Sequence, residues 1–558
     1  MSATAARDRA ITASGNKPMK FYSIEIFRNG ESCFTFQLIN MFWRKIKDEP
    51  EEVLNWRLWL GAVVFGLMGA ARGLDEGTIS GTMKHQSFLE MVGMLDESKT
   101  EGELADLESN IVAMVQIGCV GGAILAYILS DRIGRLWSFW TLCVLWFIGV
   151  IIQITSYTCV GQVYAGRFIA GLGIGMTAVI CPTYLVEIAP ANVRGLCACI
   201  YSGSVYLGVL VAQGSNYGTS ETFAETDRRQ WVIPISIQLM YGGVLFIASF
   251  FTLESPRWLF KVGKSERALN NLAKIRGLPA DHPYINWEVT QILSQVEIES
   301  EKASIPKSLK LLVTTYGYRF LICVLIQLLG QWSGASVVTV FINRLLGLVG
   351  VASDKQLEYS VILGGVKLAS SLIVALFLID TLGRKRSLIT GVFIQLFSLI
   401  YITVFIARGG SKAAAEGALA MIYISGFGWA LGFNAIQYLI NSEIFPLTLR
   451  SLATALIMVL HFVNQYGTSR AFPPMLVTIG EYQAMAFFAC ITFAGLLFAI
   501  FMVPEPAGHS LEAMDELFSQ PWYKVAFYKF KEASLEEKEE KARDVEHVEE
   551  IKRESSRV

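Results

Sequence analysis

The chain has 558 residues, of which 53% are apolar and only 17% charged, and 47 Lys and Arg stand against 48 Asp and Glu for a net charge of −1. A soluble domain usually carries nearer about 25% charge, and a mean hydropathy of +0.45 points to a chain that lives in a bilayer. The balanced charge excludes the one-signed field of a nucleic-acid binder.

Residues 1–56 contain no short apolar core ahead of a small-residue cleavage site, so they are expected to form a cytoplasmic segment, with the first membrane helix as its own insertion signal. A spanning helix needs roughly 20 mostly apolar residues. Such stretches start near Trp59, Ile111, Leu136, Val163, Leu196 and Trp231, and again near Phe320, Tyr359, Ser387, Ala418, Leu452 and Ala484. The pattern predicts an all-α integral membrane protein of about twelve transmembrane helices, with one six-helix bundle over 57–260 and a second over 317–505.

Between the bundles, 261–316 is charged with amphipathic patches (Ala268, Leu269, Leu272, Ile275; Val289, Ile292, Leu293, Val296), which predicts a loop of short surface helices. The tail, 506–558, ends almost wholly in Glu, Lys and Arg and is expected to be a solvated helix or disordered. Arg44, Lys45 and Lys47 precede the first helix, Arg132 and Arg135 follow the second, and Arg384, Lys385 and Arg386 follow the eighth. The loop after the first helix is acidic instead, with Glu90, Asp96, Glu97, Glu101 and Glu103. The positive-inside rule therefore puts both termini and the central loop in the cytoplasm.

One charge pattern occurs twice, about 250 residues apart. Asp131-Arg132-Ile133-Gly134-Arg135 is followed by Glu187 with Arg194, then by Glu254-Ser255-Pro256-Arg257. Asp380-Thr381-Leu382-Gly383-Arg384 is followed by Glu443 with Arg450, then by Glu505. The glutamate and arginine stand seven positions apart in both copies. Ion pairs among Asp131, Arg135, Glu187, Arg194, Glu254 and Arg257, and among Asp380, Arg384, Glu443, Arg450 and Glu505, would latch the cytoplasmic ends of the two halves. Pairs that break and re-form supply the two states of similar energy that alternating access needs. A duplicated half with its binding site at the seam is the build of many secondary transporters.

These residues carry a family resemblance. Pro182-Thr183-Tyr184-Leu185-Val186-Glu187, Gly166-Arg167, Glu254-Ser255-Pro256-Arg257-Trp258-Leu259 and Pro504-Glu505 followed by Leu511-Glu512 resemble motifs of the sugar porter family of the major facilitator superfamily, over about Trp56 to Phe518. Asn441-Ser442-Glu443, Gly365-Val366-Lys367 and Ser469-Arg470 resemble the fungal quinate permease branch. The resemblance implies two pseudo-symmetric bundles around a cavity and transport of a sugar or related polyhydroxylated solute across the plasma membrane, coupled to a proton. Quinate or sugar-acid transport is the alternative, and a sensor that binds sugar without moving it is a third.

By the same resemblance, Asp75 in Gly73-Leu74-Asp75 stands where family symporters couple to protons, with Arg167 as its partner. Arg72 lies three residues earlier on the same face and could hold Asp75 ionised. The family's helix-seven glutamine pair survives only as Gln331, with Ser336 in place of an asparagine, and by counting Ser202 and Tyr438 replace a glutamine and a tryptophan. Gln331, Ser336, Ser202, Tyr438 and Asn464 are the candidate hydroxyl ligands. Lys367 falls near mid-membrane, where an ammonium needs water, an acid or an anionic substrate, and Arg470 offers a second cation towards the outer end.

Nine cysteines, mostly inside apolar runs, show no ligand spacing, so neither a metal, a cofactor nor a disulfide framework is expected. Gly171-Leu172-Gly173-Ile174-Gly175 lies within an apolar helix after no strand, which predicts close helix packing rather than a nucleotide loop. No catalytic constellation is found, so the chain is expected not to be an enzyme. The expected partners are the solute, a proton and the bilayer, with no nucleic acid, and the chain is expected to be a monomer.

Overall fold

The computed structural model describes residues 51–157, 159–190, 193–300, 305–505 and 511–528, and among them the regular structure is helical throughout. In the first half α1 (Trp56–Thr82), α2 (Glu101–Ile133), α3 (Arg135–Ile154), α4 (Val160–Ile188), α5 (Arg194–Thr222) and α6 (Arg229–Ser249) follow one another. The second half holds α7 (Gly317–Val340), α8 (Ser353–Leu378), α9 (Arg384–Arg408), α10 (Lys412–Asn441), α11 (Leu447–Thr478) and α12 (Glu481–Phe501). Ten of these are apolar and long enough to cross a membrane. The other two, α5 and α11, run 29 and 32 residues and reach as far.

The two halves repeat one packing scheme. In the first, α1 lies on α5, α2 on α4, and α3 on α4 and α6; in the second, α7 lies on α11, α8 on α10, and α9 on α10 and α12. The halves meet through α2 against α11 and α5 against α8, two seams that exchange under the same pseudo-symmetry. The seams and the space between them are where a bound solute would touch both halves.

Small residues make the close contacts possible. In α4 a Cβ on Gly171 would fall 2.2 Å from the Val115 carbonyl oxygen of α2, and one on Gly175 would fall 2.2 Å from that of Cys119. Gly173, on the opposite side, would meet the Leu142 carbonyl of α3 at 2.6 Å. The glycine triplet is a two-sided packing surface, as its apolar context predicts.

Several helices break where they face the middle of the molecule. The helix α1 is interrupted between Leu67 and Ala70. A widened turn over Gln331–Ala335 in α7 holds Gly334 at φ 82°, and another over Ala430–Asn434 in α10 holds Gly432 at ψ −112°. Such turns expose side chains and backbone that a regular helix would cover, and they recur at functional sites. Between the halves, helices Pro256–Lys261, Ser265–Arg276 and Pro283–Ser300 share a small core of Trp258, Leu259, Ala268, Leu272, Ile285 and Ile292. Arg276 anchors it, donating to the Ile188 carbonyl at 2.7 Å and pairing with Glu288 at 2.6 Å.

Candidate functional site

A central cavity lies between the halves, lined from one side by Arg72, Glu76, Tyr201, Ser202, Val205 and Tyr206. From the other it is lined by Ala335, Ser336, Thr339, Trp429, Asn434, Gln437 and Tyr438. Its wall is therefore built by α1 and α5 facing α7 and α10, with Ala335, Asn434 and their neighbours presented by the widened turns. Hydroxyls, amides and aromatic faces alternate around it, a lining that suits a small polar solute.

Of the candidate hydroxyl ligands, Ser202, Ser336 and Tyr438 lie on the cavity wall. Gln331 stands one layer back, accepting from Ser336 Oγ at 3.1 Å. Asn464 faces away, accepting from the Trp332 indole at 3.2 Å and donating to the Leu460 carbonyl. Tyr206 OH sits between the Trp429 indole at 2.8 Å and Asn434 Oδ1 at 3.0 Å, which orients both neighbours across the seam.

The most heavily bonded group at the cavity is Arg72. Its Nε pairs with Glu76 Oε1 at 2.9 Å, one helical turn on, rather than with Asp75. Its terminal nitrogens cross to the second half, donating to Tyr438 OH at 3.3 Å and Gln465 Oε1 at 3.2 Å and meeting His461 Nε2 at 3.0 Å. Gln465 Nε2 closes the ring by donating to Glu76 Oε1 at 2.8 Å. The expected influence of Arg72 on Asp75 is thus replaced by an Arg72–Glu76 pair inside the cavity. The i to i+4 spacing of these two residues was available in the sequence.

Asp75 points the other way. It pairs with Arg167 of α4 at 3.2 and 3.4 Å, with both side chains about 3% exposed. Arg167 also donates to the Val112 carbonyl of α2 at 3.3 Å, so the pair ties three helices together. Lys367 of α8 is 2% exposed and donates to Thr339 Oγ1, with its ammonium over the Tyr206 ring. Thr339 and Tyr206 both line the cavity, and no acid pairs directly with Lys367 among the described residues.

At the end carrying the repeated motif, Arg135 forms a two-pronged pair with Glu187 at 2.6 and 2.9 Å and reaches Asp131 at 3.3 Å. Lys261 takes the other Asp131 oxygen at 2.8 Å. Glu254 caps the start of α3, accepting from the backbone N–H of Arg135 at 2.9 Å and of Leu136 at 3.2 Å. Glu505 does the same for α9, accepting from Arg384 N at 2.9 Å and Lys385 N at 3.0 Å. Gly134 and Gly383 precede these caps at φ 96° and 83°, and a Cβ on either would come within 2.6 Å of the capping carboxylate. Both the backbone angle and the space demand glycine there. Arg257 pairs with no carboxylate among the described residues, and Arg450 donates to the Phe445 carbonyl at 3.2 Å. The side chains of Arg194, Asp380 and Glu443 fall outside the described residues.

The opposite end is closed by bonds between the halves. Arg344 pairs with Glu108 at 2.6 Å, and Arg470 pairs with Asp106 at 2.8 Å while donating to Ser109 Oγ at 2.6 Å. Asn343 donates to the Ser80 carbonyl at 2.8 Å. Arg470 is thus committed to Asp106 and Ser109 of α2 rather than to the cavity.

Residues 61–518 match the model of the family described as "Sugar (and other) transporter". The chain belongs to this family. It is 31% identical to the quinate permease of Emericella nidulans over 491 residues, which cover 85% of this chain and 91% of that one. It is 32% identical to the probable quinate permease of Neosartorya fischeri, over 86% and 91% of the two chains. Among solved structures it is similar to the Escherichia coli proton:xylose symporter XylE bound to 6-bromo-6-deoxy-D-glucose, at TM-score 0.70 and 24% identity over 83% of this chain and 99% of that one. That likeness fixes the fold as the major facilitator fold.

In this member of the sugar transporter family, sequence reasoning passed over Glu76, His461, Gln465 and Gln437. Gln437 lines the cavity with its Oε1 unpartnered, which leaves it free for a solute hydroxyl. His461 and Gln465 are polar residues four apart on an otherwise apolar stretch of α11, a signal that was present but overshadowed by Asn464 between them.

Proposed function

We propose that this carrier moves a small polyhydroxylated solute across the plasma membrane together with a proton, by alternating access, as a monomer with both termini in the cytoplasm. The observation that carries the reading is the cavity at the seam, polar on both faces, with the buried Asp75–Arg167 pair beside it at 3.2 Å. Ser202, Ser336, Tyr438 and Gln437 would bind solute hydroxyls directly, with Gln331 orienting Ser336. The Asp75 carboxylate loses its partner when α1 and α4 shift, and a proton then takes the place of Arg167. Pairs at the motif end, Arg135–Glu187 foremost, would hold one of the two states. Relatives named for quinate and for proton:xylose symport support this reading.

A solute bearing a carboxylate is favoured by one further observation. Arg72 lines the cavity and Lys367 stands behind its wall, against Glu76 as the one acid lining it among the described residues. Quinate and sugar acids have this chemistry.

Uptake into proteoliposomes tests the reading. Purified protein should accumulate labelled quinate or xylose when an inward proton gradient is imposed, and protonophore should collapse the accumulation. Binding without flux would make the protein a receptor. Asp75→Asn should abolish accumulation while leaving exchange of pre-loaded solute, because the amide copies the shape of the protonated acid. Competition by quinate, galacturonate and xylose separates acid from neutral solutes.

A further inference from the structure

His461 has a hydrogen-bonding pattern that its proximity to a permanent cation makes informative. Its Nε2 lies 3.0 Å from Arg72 Nη1. A guanidinium donates and never accepts, so Nε2 must offer its lone pair. The ring hydrogen then sits on Nδ1, which donates to Gln327 Oε1 at 2.9 Å, so the Gln331 amide nitrogen, 3.2 Å from Nδ1, makes no hydrogen bond to it in this tautomer. The ring is fully buried in α11. While Arg72 stays, the imidazole has no position for a second proton, because a proton and the guanidinium need the same lone pair.

The other groups around the ring are Tyr438 of α10 and Gln327 and Gln331 of α7. Glu76 of α1 is joined to it through Arg72 and Gln465, and Lys367 of α8 is bonded to Thr339 instead. Arg72 is therefore the one charged group in contact with the ring among the described residues. It is also the cation that lines the cavity, placed to meet an arriving anion.

We propose that His461 is a second proton site of this carrier, opened when a substrate carboxylate draws Arg72 away from Nε2. The guanidinium changes partner, from the imidazole lone pair to the carboxylate, and a proton from the aqueous side occupies the vacated lone pair. No covalent bond other than the new N–H is made or broken. One negative and one positive charge enter together, so the buried cavity carries the same net charge empty and loaded. Either ion entering alone would add an uncompensated charge at the middle of a bilayer. The exchange ties the two together without direct contact between proton and substrate. This inference rests on the proton-coupled reading above and deepens it: it assigns a carboxylate-bearing polyol as the substrate class and adds a site distinct from Asp75.

Proton uptake on binding decides it. Quinate is added to the purified full chain in weak buffer with a pH indicator, and protons taken up per quinate bound are counted. His461→Gln keeps an oxygen for Arg72 but cannot be protonated, and it should lower the count by about one proton. Asp75→Asn should leave the His461 proton in place. An unchanged count in His461→Gln, or the same loss in Glu76→Gln instead, overturns the proposal while leaving symport through Asp75 standing. A wild type that takes up no proton at all overturns both.

Discussion

Arg135 shows how one residue of a repeated motif acts through several partners. Both sides of its pair with Glu187 are nearly buried, at 6% and 7% exposure, so removing one partner strands the other where water cannot reach it. Breaking a buried pair costs about 3–5 kcal/mol. Arg135→Ala should therefore reduce uptake strongly at near-normal membrane levels, by skewing two states that must stay close in energy; wild-type flux at equal protein would refute a gating role. Glu254, outside the spanning helices, shows the opposite balance. Burial pushes its carboxyl above the ordinary range, against the pull of the Ser255, Arg135 and Leu136 amides and the Arg135 charge. A raised carboxyl means the folded protein holds that proton more tightly, so this stabilisation is full below about pH 4.3 and is lost as pH rises through the shifted value. Glu254→Gln should gain on the wild type in detergent melting temperature as pH rises from about 4 to 7, and a pH-independent difference would mean the shift is not there. These roles were half legible. The motif spelled out which charges matter, but the expectation that Glu254 pairs with an arginine side chain gave way to backbone capping, which depends on where a helix start meets a distant carboxylate. Arg72 was misjudged for a similar reason: Asp75 and Glu76 both lie within reach along α1, and only the position of α4 with Arg167 decides which of them it takes.

At the scale of the helix, legibility is greater, because apolar length and small-residue spacing are local properties. The spans, the interhalf helices and the packing role of Gly171, Gly173 and Gly175 follow from composition and period. The breaks in α7 and α10 do not, since Gly334 and Gly432 resemble any other helical glycine until the opposing helices demand a turn. The glycine contacts give a direct measurement. On Gly175 a Cβ would lie 2.2 Å from the Cys119 carbonyl oxygen and 2.5 Å from its Cα, both backbone atoms of a neighbouring helix. Gly175→Ala must push α2 and α4 apart, at a cost of about 1–3 kcal/mol. Gly243→Ala, where nothing lies within 4 Å, is the matched control. The first should lower the melting temperature and the second should not; equal behaviour would show that the α2–α4 contact yields easily.

For the whole molecule, the question is what holds one end shut. Bonds between Glu108 and Arg344, Asp106 and Arg470, and Ser80 and Asn343 all join the two halves at the end opposite the motif, and each can exist only while that end is closed. None was legible beforehand: Glu108 and Arg344 stand 236 positions apart and belong to no repeated pattern. The Asp106–Arg470 pair is open to solvent at 56% and 32% exposure and adds little by itself. Glu108 is 13% exposed and Arg344 37%, so their 2.6 Å contact is the better sheltered of the two. If it contributes even about 1 kcal/mol to the closed state, its loss shifts the balance of states about fivefold. Glu108→Arg sets two cations against each other and should favour opening, whereas Glu108→Arg with Arg344→Glu restores attraction with the charges exchanged. A cysteine placed at Ala335 in the central cavity, in a chain otherwise free of cysteine, reports the change through its rate of labelling by a membrane-impermeant thiol reagent applied from that side. Labelling should be several-fold faster in Glu108→Arg and return towards the parent rate in the double exchange. Were the double exchange to stay fast, the ion pair would not be what closes this end, and Asn343 with the packing around it would have to carry that role.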